Sequence, residues 1–334
     1  MHALFLALVL AGASLPSPPL SGDSAPVFKR SIPLAGVKGR IDHLALDPQS
    51  ERLFVAALEN GSLEVIDLKK GERVKRVTGL KEPQGVAFVP ATRQIVVACG
   101  GDGTVVAYDA TTLEEKHRSV VGEDADNVRQ NSDARFLAVG HGSGAIALLD
   151  AASLKPIGDI KFNGHPESFQ LESGSSRIFI NVPGGFVGGG GAIVVADLKT
   201  QQTVAKWPLK EAGRNFPMAL DTAHKRLYVG CRRSAKLLVI DTELGTVLAS
   251  PDCVGDADEV FVDEKTGHVL VVGGDGAVDV FETKDQIGYS KSASIKTASG
   301  ARTGLLSAET HSLYVAVPKR PGQDAEIREY SLPD

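Results

Sequence analysis

Seven polar residues recur at one place in a repeating pattern: Asp42, Gln84, Asp126, Glu167, Asn215, Asp258 and Arg302. Each opens a short apolar run, and two of the segments, Asp124-Ala125-Asp126-Asn127-Val128 and Asp256-Ala257-Asp258-Glu259-Val260, are near copies. Carboxylates and amides converging on one axis present oxygen donors, which hard cations such as Ca²⁺ or Mg²⁺ prefer, so Asp126, Glu167, Asn215 and Asp258 form a candidate metal set. The same ring can accept a sugar-like or cationic ligand, or simply satisfy backbone groups along a solvated channel. Arg302 speaks against a pure metal cage and for an anionic group near the last repeat. Of eight histidines, His43 and His165 enter this neighbourhood, with His141 in an adjoining hairpin. Zinc would want three or four nitrogen or sulfur ligands, so loop histidines with ordinary hydrogen-bond partners are the plainer reading. The candidate ligand-binding set is therefore Asp42, His43, Gln84, Asp126, Asn127, Glu167, Asn215, Asp258 and Arg302, and the cofactor it suggests is Ca²⁺ or another divalent cation.

Such residues meet only if the chain repeats in space. The stretch Arg52 to Asp67 holds two β-rich runs around Asn60-Gly61 and ends in two apolar residues and Asp, and the pattern recurs with closing positions 67, 109, 150, 197, 241, 282 and 331. A step of about 40 to 50 residues carrying short strands and no helical period is that of a four-stranded propeller blade. The expected fold is all-β: a seven-bladed β-propeller of four-stranded antiparallel blades. In the first repeat the strands fall at Asp42 to Leu46, Arg52 to Ala57, Ser62 to Ile66 and Arg73 to Val77, separated by Asp47-Pro48-Gln49-Ser50, Asn60-Gly61 and Lys69-Lys70-Gly71. The last repeat supplies three strands, ending near Tyr330. An open ring would leave a bare edge there, and Val27 to Leu34 resembles the charged outer strands, so it is expected to complete the last blade and close the ring.

The unit Arg226-Leu227-Tyr228-Val229-Gly230 followed by Leu238-Val239-Ile240-Asp241-Thr242-Glu243-Leu244-Gly245-Thr246-Val247 resembles the YVTN-type repeat of exported bacterial and archaeal β-propellers, the YncE-like group. The likeness spans about residues 26 to 331, with a degenerate core as in Phe54-Val55-Ala56-Ala57 and Tyr314-Val315-Ala316-Val317. It implies an exported seven-bladed propeller. It does not imply a reaction, since fold-level likeness assigns no chemistry.

Met1 to about Ser14 is a short Leu/Ala-rich run ending in small residues, with the length of a signal-peptide core and too short for a membrane span. The expected organisation is a signal peptide and Pro/Ser-rich leader over 1–25, then a single propeller domain over 26–334, exported to the periplasm or secreted, with no transmembrane anchor. A formal charge of −5 and no basic stripe argue against nucleic acid or an anionic membrane as partner. Of the three cysteines, Cys99 and Cys231 hold equivalent places far apart in a ring, and Cys231 could reach Cys253 only if loops bend, so buried thiols are expected.

The glycine-rich stretch Pro183 to Gly191 lacks the Lys-Ser/Thr ending of a phosphate loop, and could act as a lid carrying Phe186 or be a mobile hairpin. Arg232-Arg233 and Lys319-Arg320 are basic hairpins that could meet an acidic partner. Nucleophile-elbow, His-Glu-x-x-His and Cys-x-x-Cys signatures are absent. The leading expectation is an exported, monomeric binding or scaffold protein that takes a small molecule or protein partner at its channel mouth. A metal-dependent lactonase-type hydrolase with an axial divalent ion, and a purely structural envelope protein, stand as alternatives; a hydrolase would have to assemble its site from several blades.

Overall fold

The computed structural model describes residues 25–142, 144–184, 190–283 and 288–333. The expected leader up to residue 24 and the centre of the glycine-rich stretch, with Phe186, lie outside the described residues. Seven four-stranded antiparallel sheets form a ring, each built from consecutive strands except the last. In blade one these are Leu44–Asp47, Arg52–Ala57, Ser62–Asp67 and Glu72–Thr78, within a residue or two of the sequence-based expectation.

The layering follows from residue type. The second and third strands are apolar and β-branched and are buried almost throughout, because both of their faces pack on neighbouring blades. The fourth strands, such as Glu72–Thr78 and Gln202–Pro208, alternate between exposed and half-buried side chains at the rim. Between adjacent sheets lie apolar layers such as Phe54, Leu63 and Val65 of blade one against Val86, Ile95 and Val97 of blade two. Cys99, Cys231 and Cys253 are buried free thiols in these layers, and burial pushes their pKa values to about 11, about 12 and about 12.

The aspartate that closes the third strand in blades one to five has a local task. Asp109 Oδ1 accepts the backbone N–H of Thr111 and Thr112 at 2.9 and 2.8 Å, and Asp197 and Asp241 do the same for the two residues that follow Leu198 and Thr242 or for their neighbours. These turns launch the outer strand and recur because an Asp side chain imitates a backbone turn. Before the second strand, Glu51, Arg93, Lys225 and His311 take positive φ where blade six uses Gly267. Five different residue types thus serve one left-handed turn position, so the turn is set by pairing on both sides.

Closure occurs at the seam between the ends of the chain. Val27–Pro33 pairs antiparallel with Glu326–Ser331 as the outer strand of the sheet containing Thr303–Ser307 and Ser312–Val317. Glu329 receives Lys29 at 2.9 Å and Arg30 at 2.6 Å, while Ile32 is fully buried beside Ile327, Leu53 and Tyr314. Thr303 Oγ1 donates to Ile41 O at 3.2 Å across the same seam. Ile32→Ala should therefore lower unfolding free energy by about 2–5 kcal/mol, as large-to-small changes in a close-packed site do. Urea denaturation checks this; a loss under about 1 kcal/mol would mean that the front strand is not part of the cooperative unit.

Candidate functional site at the channel mouth

The first strand of each blade lines the axis, and its N-terminal end defines the mouth. The backbone pairs Asp42 N to Ala56 O, Asp126 N to Gly140 O and Glu167 N to Asn181 O are equivalent, so these three carboxylates start at the same level. Asp258 joins them from blade six, one residue after Ala257, which pairs with Gly273. Together with Arg40 and His43 they enclose a cavity of about 20 Å³, room for one water-sized occupant.

Asn215 does not join this group. It pairs with Cys231 as Pro83 pairs with Cys99 and Ala257 with Gly273, so it stands one residue before the ring position, which in blade five belongs to Phe216. Its side chain turns into the gap between blades four and five, donates to Asn181 Oδ1 and to Val182 O at 3.3 Å, and packs over Gly191. The residues preceding the other ring positions are Ile41, Pro83, Ala125, Pro166, Ala257 and Ala301, all apolar. That column was the signal that places Asn215 out of the ring. Gln84 also leaves the axis, reaching Asp124 Oδ1 at 3.3 Å.

Arg40, Arg129, Arg232, Asp256 and Glu259 were not legible as site residues. Arg232, from a hairpin expected to be solvated, turns inward, lies 3.9 Å over the Phe216 ring, donates to Ala257 O at 2.9 Å and pairs with Asp258. Arg302 completes this corner with Asp256 at 3.0 Å and Asp258 at 3.5 Å. Arg40 holds Asp42 at 2.9 Å. Below them Glu259 accepts from His43 Nδ1 at 2.9 Å, and Arg129 lies half-buried alongside. His43, Asn127 and Glu259 occupy equivalent positions and form a floor, beneath which a second cavity of about 220 Å³ is lined by Arg129, Gln170 and Glu264.

The charge is unevenly distributed. Asp42 and Asp258 each have an arginine, whereas among the described residues Asp126 and Glu167 have no arginine salt bridge and face His43 and His165. Burial, with Asp42 nearby, holds the Asp126 carboxyl well above the usual carboxylate range. Burial pushes Glu167 up to about 7, partly opposed by His165 and reinforced by Asp258. It also pushes Asp258 up to about 6 against the pull of Arg232. Burial works against a charged His43, but Glu259, Asp42 and Asp126 outweigh it and raise the imidazole to about 10. With the ring charged, Nε2–H and the Asn127 amide nitrogen at 3.1 Å are both donors, so this contact is no hydrogen bond and the amide donates instead to Glu167 O at 2.8 Å.

The other histidines sort themselves by geometry. His165 Nδ1 meets Gly142 O at 2.7 Å, so Nδ1–H donates, and the same nitrogen lies 3.5 Å from Asp124. His141 lies 3.5 Å from Asp159 and against Gly122, away from the ring. Of the basic hairpin at the seam, Lys319 pairs with Asp324 and Arg320 donates to Ser299 Oγ at 3.0 Å.

No protein-family model matches the chain, and no curated protein matches it. Among solved structures it is similar to a chain of the Kuenenia stuttgartiensis hydrazine synthase, with TM-score 0.76 and 14% identity over 88% of this chain and 97% of that one. It is similar also to a chain of the mitotic checkpoint complex, with TM-score 0.76 and 14% identity over 100% of both. Likeness at that identity is a likeness of fold. The class defined by fold and site together is a seven-bladed β-propeller with a charge-lined, nearly filled channel mouth.

The raised carboxyls dictate a pH dependence. A folded-state pKa above the unfolded one stabilises the protein below the unfolded value and loses that contribution as pH rises through the folded value. For Asp258 and Glu167 the loss runs from about pH 4 up to about 6 and about 7 respectively, while the turn aspartates, with Asp197 lowered to about 2, act only in stronger acid. In EDTA, unfolding free energy should fall between pH 4 and 7, and Glu167→Gln should flatten the upper part of that slope. An identical slope in the variant, followed by chemical denaturation at each pH, would contradict the assigned burial.

Proposed function

We propose that the protein is an exported binding propeller of the YVTN-repeat, YncE-like kind, whose channel mouth takes up a small cation and whose surrounding hairpins present the loaded face to a partner. The observation that carries this reading is the corner formed by Asp126 and Glu167: two buried carboxyls, unmatched by arginine among the described residues, around space for one small occupant. The His43 imidazolium, 3.7 Å from Asp126 Oδ1, offsets at most one of the two charges, and a buried pair in that condition stays partly protonated or is neutralised by a bound cation. Export is supported by the apolar run Met1 to Ser14, and the family likeness by Arg226-Leu227-Tyr228-Val229-Gly230.

A lactonase reading has less support. Its ligand set loses Asn215 to the gap between blades four and five, and Phe216 stands in the place where a fourth oxygen donor was expected. A cavity of about 20 Å³ also leaves no space for a lactone ring between the carboxylates.

The reading predicts that leaderless protein stripped with EDTA gains thermal stability with at least one small inorganic cation or ammonium, and that Asp126→Asn combined with Glu167→Gln removes the gain. A ligand at about 100 times its Kd adds about 2.7 kcal/mol, readily seen in a melt. Absence of any cation-dependent shift at neutral pH, or turnover of aliphatic lactones that depends on Asp126, would overturn it.

A further inference from the structure

Resting on the reading of the mouth as a cation site, we propose that Asp126, His165 and Glu167 bind a divalent transition-metal ion of the Zn²⁺ or Mn²⁺ class, through one oxygen from each carboxylate and one imidazole nitrogen. The three ligand atoms already lie within 4.8 Å of one another. Around an ion at about 2.1 Å from each, ligand atoms are at most about 4.2 Å apart, so small side-chain rotations close the set. Three protein ligands with open positions is the arrangement that leaves room for water or for a donor from a partner.

Two further observations point to an ion. Asp126 is only 8% exposed, and its Oδ1 is sealed from solvent yet accepts no hydrogen bond, the imidazole of His43 standing off at 3.7 Å. Such an orphan is costly unless an occupant satisfies it. The imidazole is also held for ligation: Nδ1–H of His165 donates to Gly142 O at 2.7 Å, which leaves Nε2 as the nitrogen available to a metal. Metal-bound histidines are held by a carbonyl or carboxylate in this way. Glu167 is positioned from its backbone, with its N–H on Asn181 O at 3.0 Å and its carbonyl receiving Asn127 at 2.8 Å.

The nitrogen ligand selects the metal. Ca²⁺ and Mg²⁺ take oxygen ligands and Mg²⁺ keeps most of its water, whereas imidazole with carboxylate suits zinc, manganese and their neighbours. The opposite corner, with Arg232 and Arg302 on Asp256 and Asp258, is already neutralised. The ion thus sits on one side of the axis, over blades three and four; the sequence pointed to its two carboxylates but not to the imidazole, because His165 belongs to no recognisable metal spacing.

The test uses EDTA-stripped, leaderless protein, titrated calorimetrically with Zn²⁺, Mn²⁺, Ca²⁺ and Mg²⁺ separately. One Zn²⁺ or Mn²⁺ per chain is expected, with Ca²⁺ and Mg²⁺ weaker by more than about tenfold. Removing a direct ligand should exceed the 10- to 100-fold loss typical of outer-shell changes, so His165→Ala and Glu167→Gln should each weaken uptake by more than about 100-fold. His224→Ala, at an exposed His–Asp pair on a different turn, should leave it unchanged. Uptake unaffected by His165→Ala, or lost in His224→Ala, overturns the assignment. Should His165→Ala fail to fold, pulsed EPR of the Mn²⁺-loaded wild type reads the ligand directly: ¹⁴N coupling supports the site and its absence overturns it. If ammonium or Ca²⁺ binds at the mouth while Zn²⁺ and Mn²⁺ do not, the transition-metal site fails and the cation-binding reading stands; if no cation binds, both fail.

Discussion

The pairing of Val27–Pro33 with Glu326–Ser331 is the interaction on which the rest of the molecule depends. Six sheets arise from consecutive strands and need only local hairpins. The seventh is made by residues about 300 positions apart, and its formation orders the largest loop the chain can close, a cost that grows slowly with length but must be met by contacts made at once. Ile32 in a dry layer and Glu329 between two cations supply those contacts. Without them the last sheet ends in an unpaired edge, and the seam that sets Arg40 and Asp42 beside blade seven has nothing to hold it.

Closure also fixes the electrostatics of the mouth. The first strands of all blades but the second deliver a side chain to the axis, and the ring is tight enough that unlike charges pair across blades: Arg232 of blade five and Arg302 of blade seven both reach Asp258 of blade six. In this poorly hydrated interior a matched charge is tolerable and an unmatched one is not. The asymmetry between the arginine-rich corner and the Asp126–Glu167 corner is therefore what breaks the repetition of an otherwise regular ring. Beneath it, His43 on Glu259 closes the floor and divides the channel into a small upper and a larger lower space.

Architecture was legible because a period of about 40 residues, β-branched inner strands, Asn-Gly and Asp-initiated turns and an orphan charged strand at the front all report the same fold at different levels. The site was partly legible. Asp42, Asp126, Glu167 and Asp258 meet because their register is repeated, and His43 and Asn127 follow one residue later. Asn215 was misplaced because it stands one residue before the ring position, in the register that Pro83 holds in blade two, and an offset of one residue sends a strand side chain to the opposite face. Arg232 could not be foreseen, since a basic hairpin is ordinarily solvated and only the proximity of Phe216 and Asp258 draws it in. His165 was singled out by position, but its readiness as a ligand rests on a carbonyl from the neighbouring blade's hairpin, which no linear spacing encodes.

Native-state hydrogen exchange at the amides of Val27–Pro33 and Glu326–Ser331 tests the closure directly. If the front strand locks the ring, the hydrogen-bonded amides of Val27–Pro33 exchange as slowly as those of the buried strand Ser312–Val317 and through the same global opening. Exchange of the front strand at rates orders of magnitude faster, while Ser312–Val317 stays protected, would mean that the ring persists without its fastener and that the mouth is held by something else.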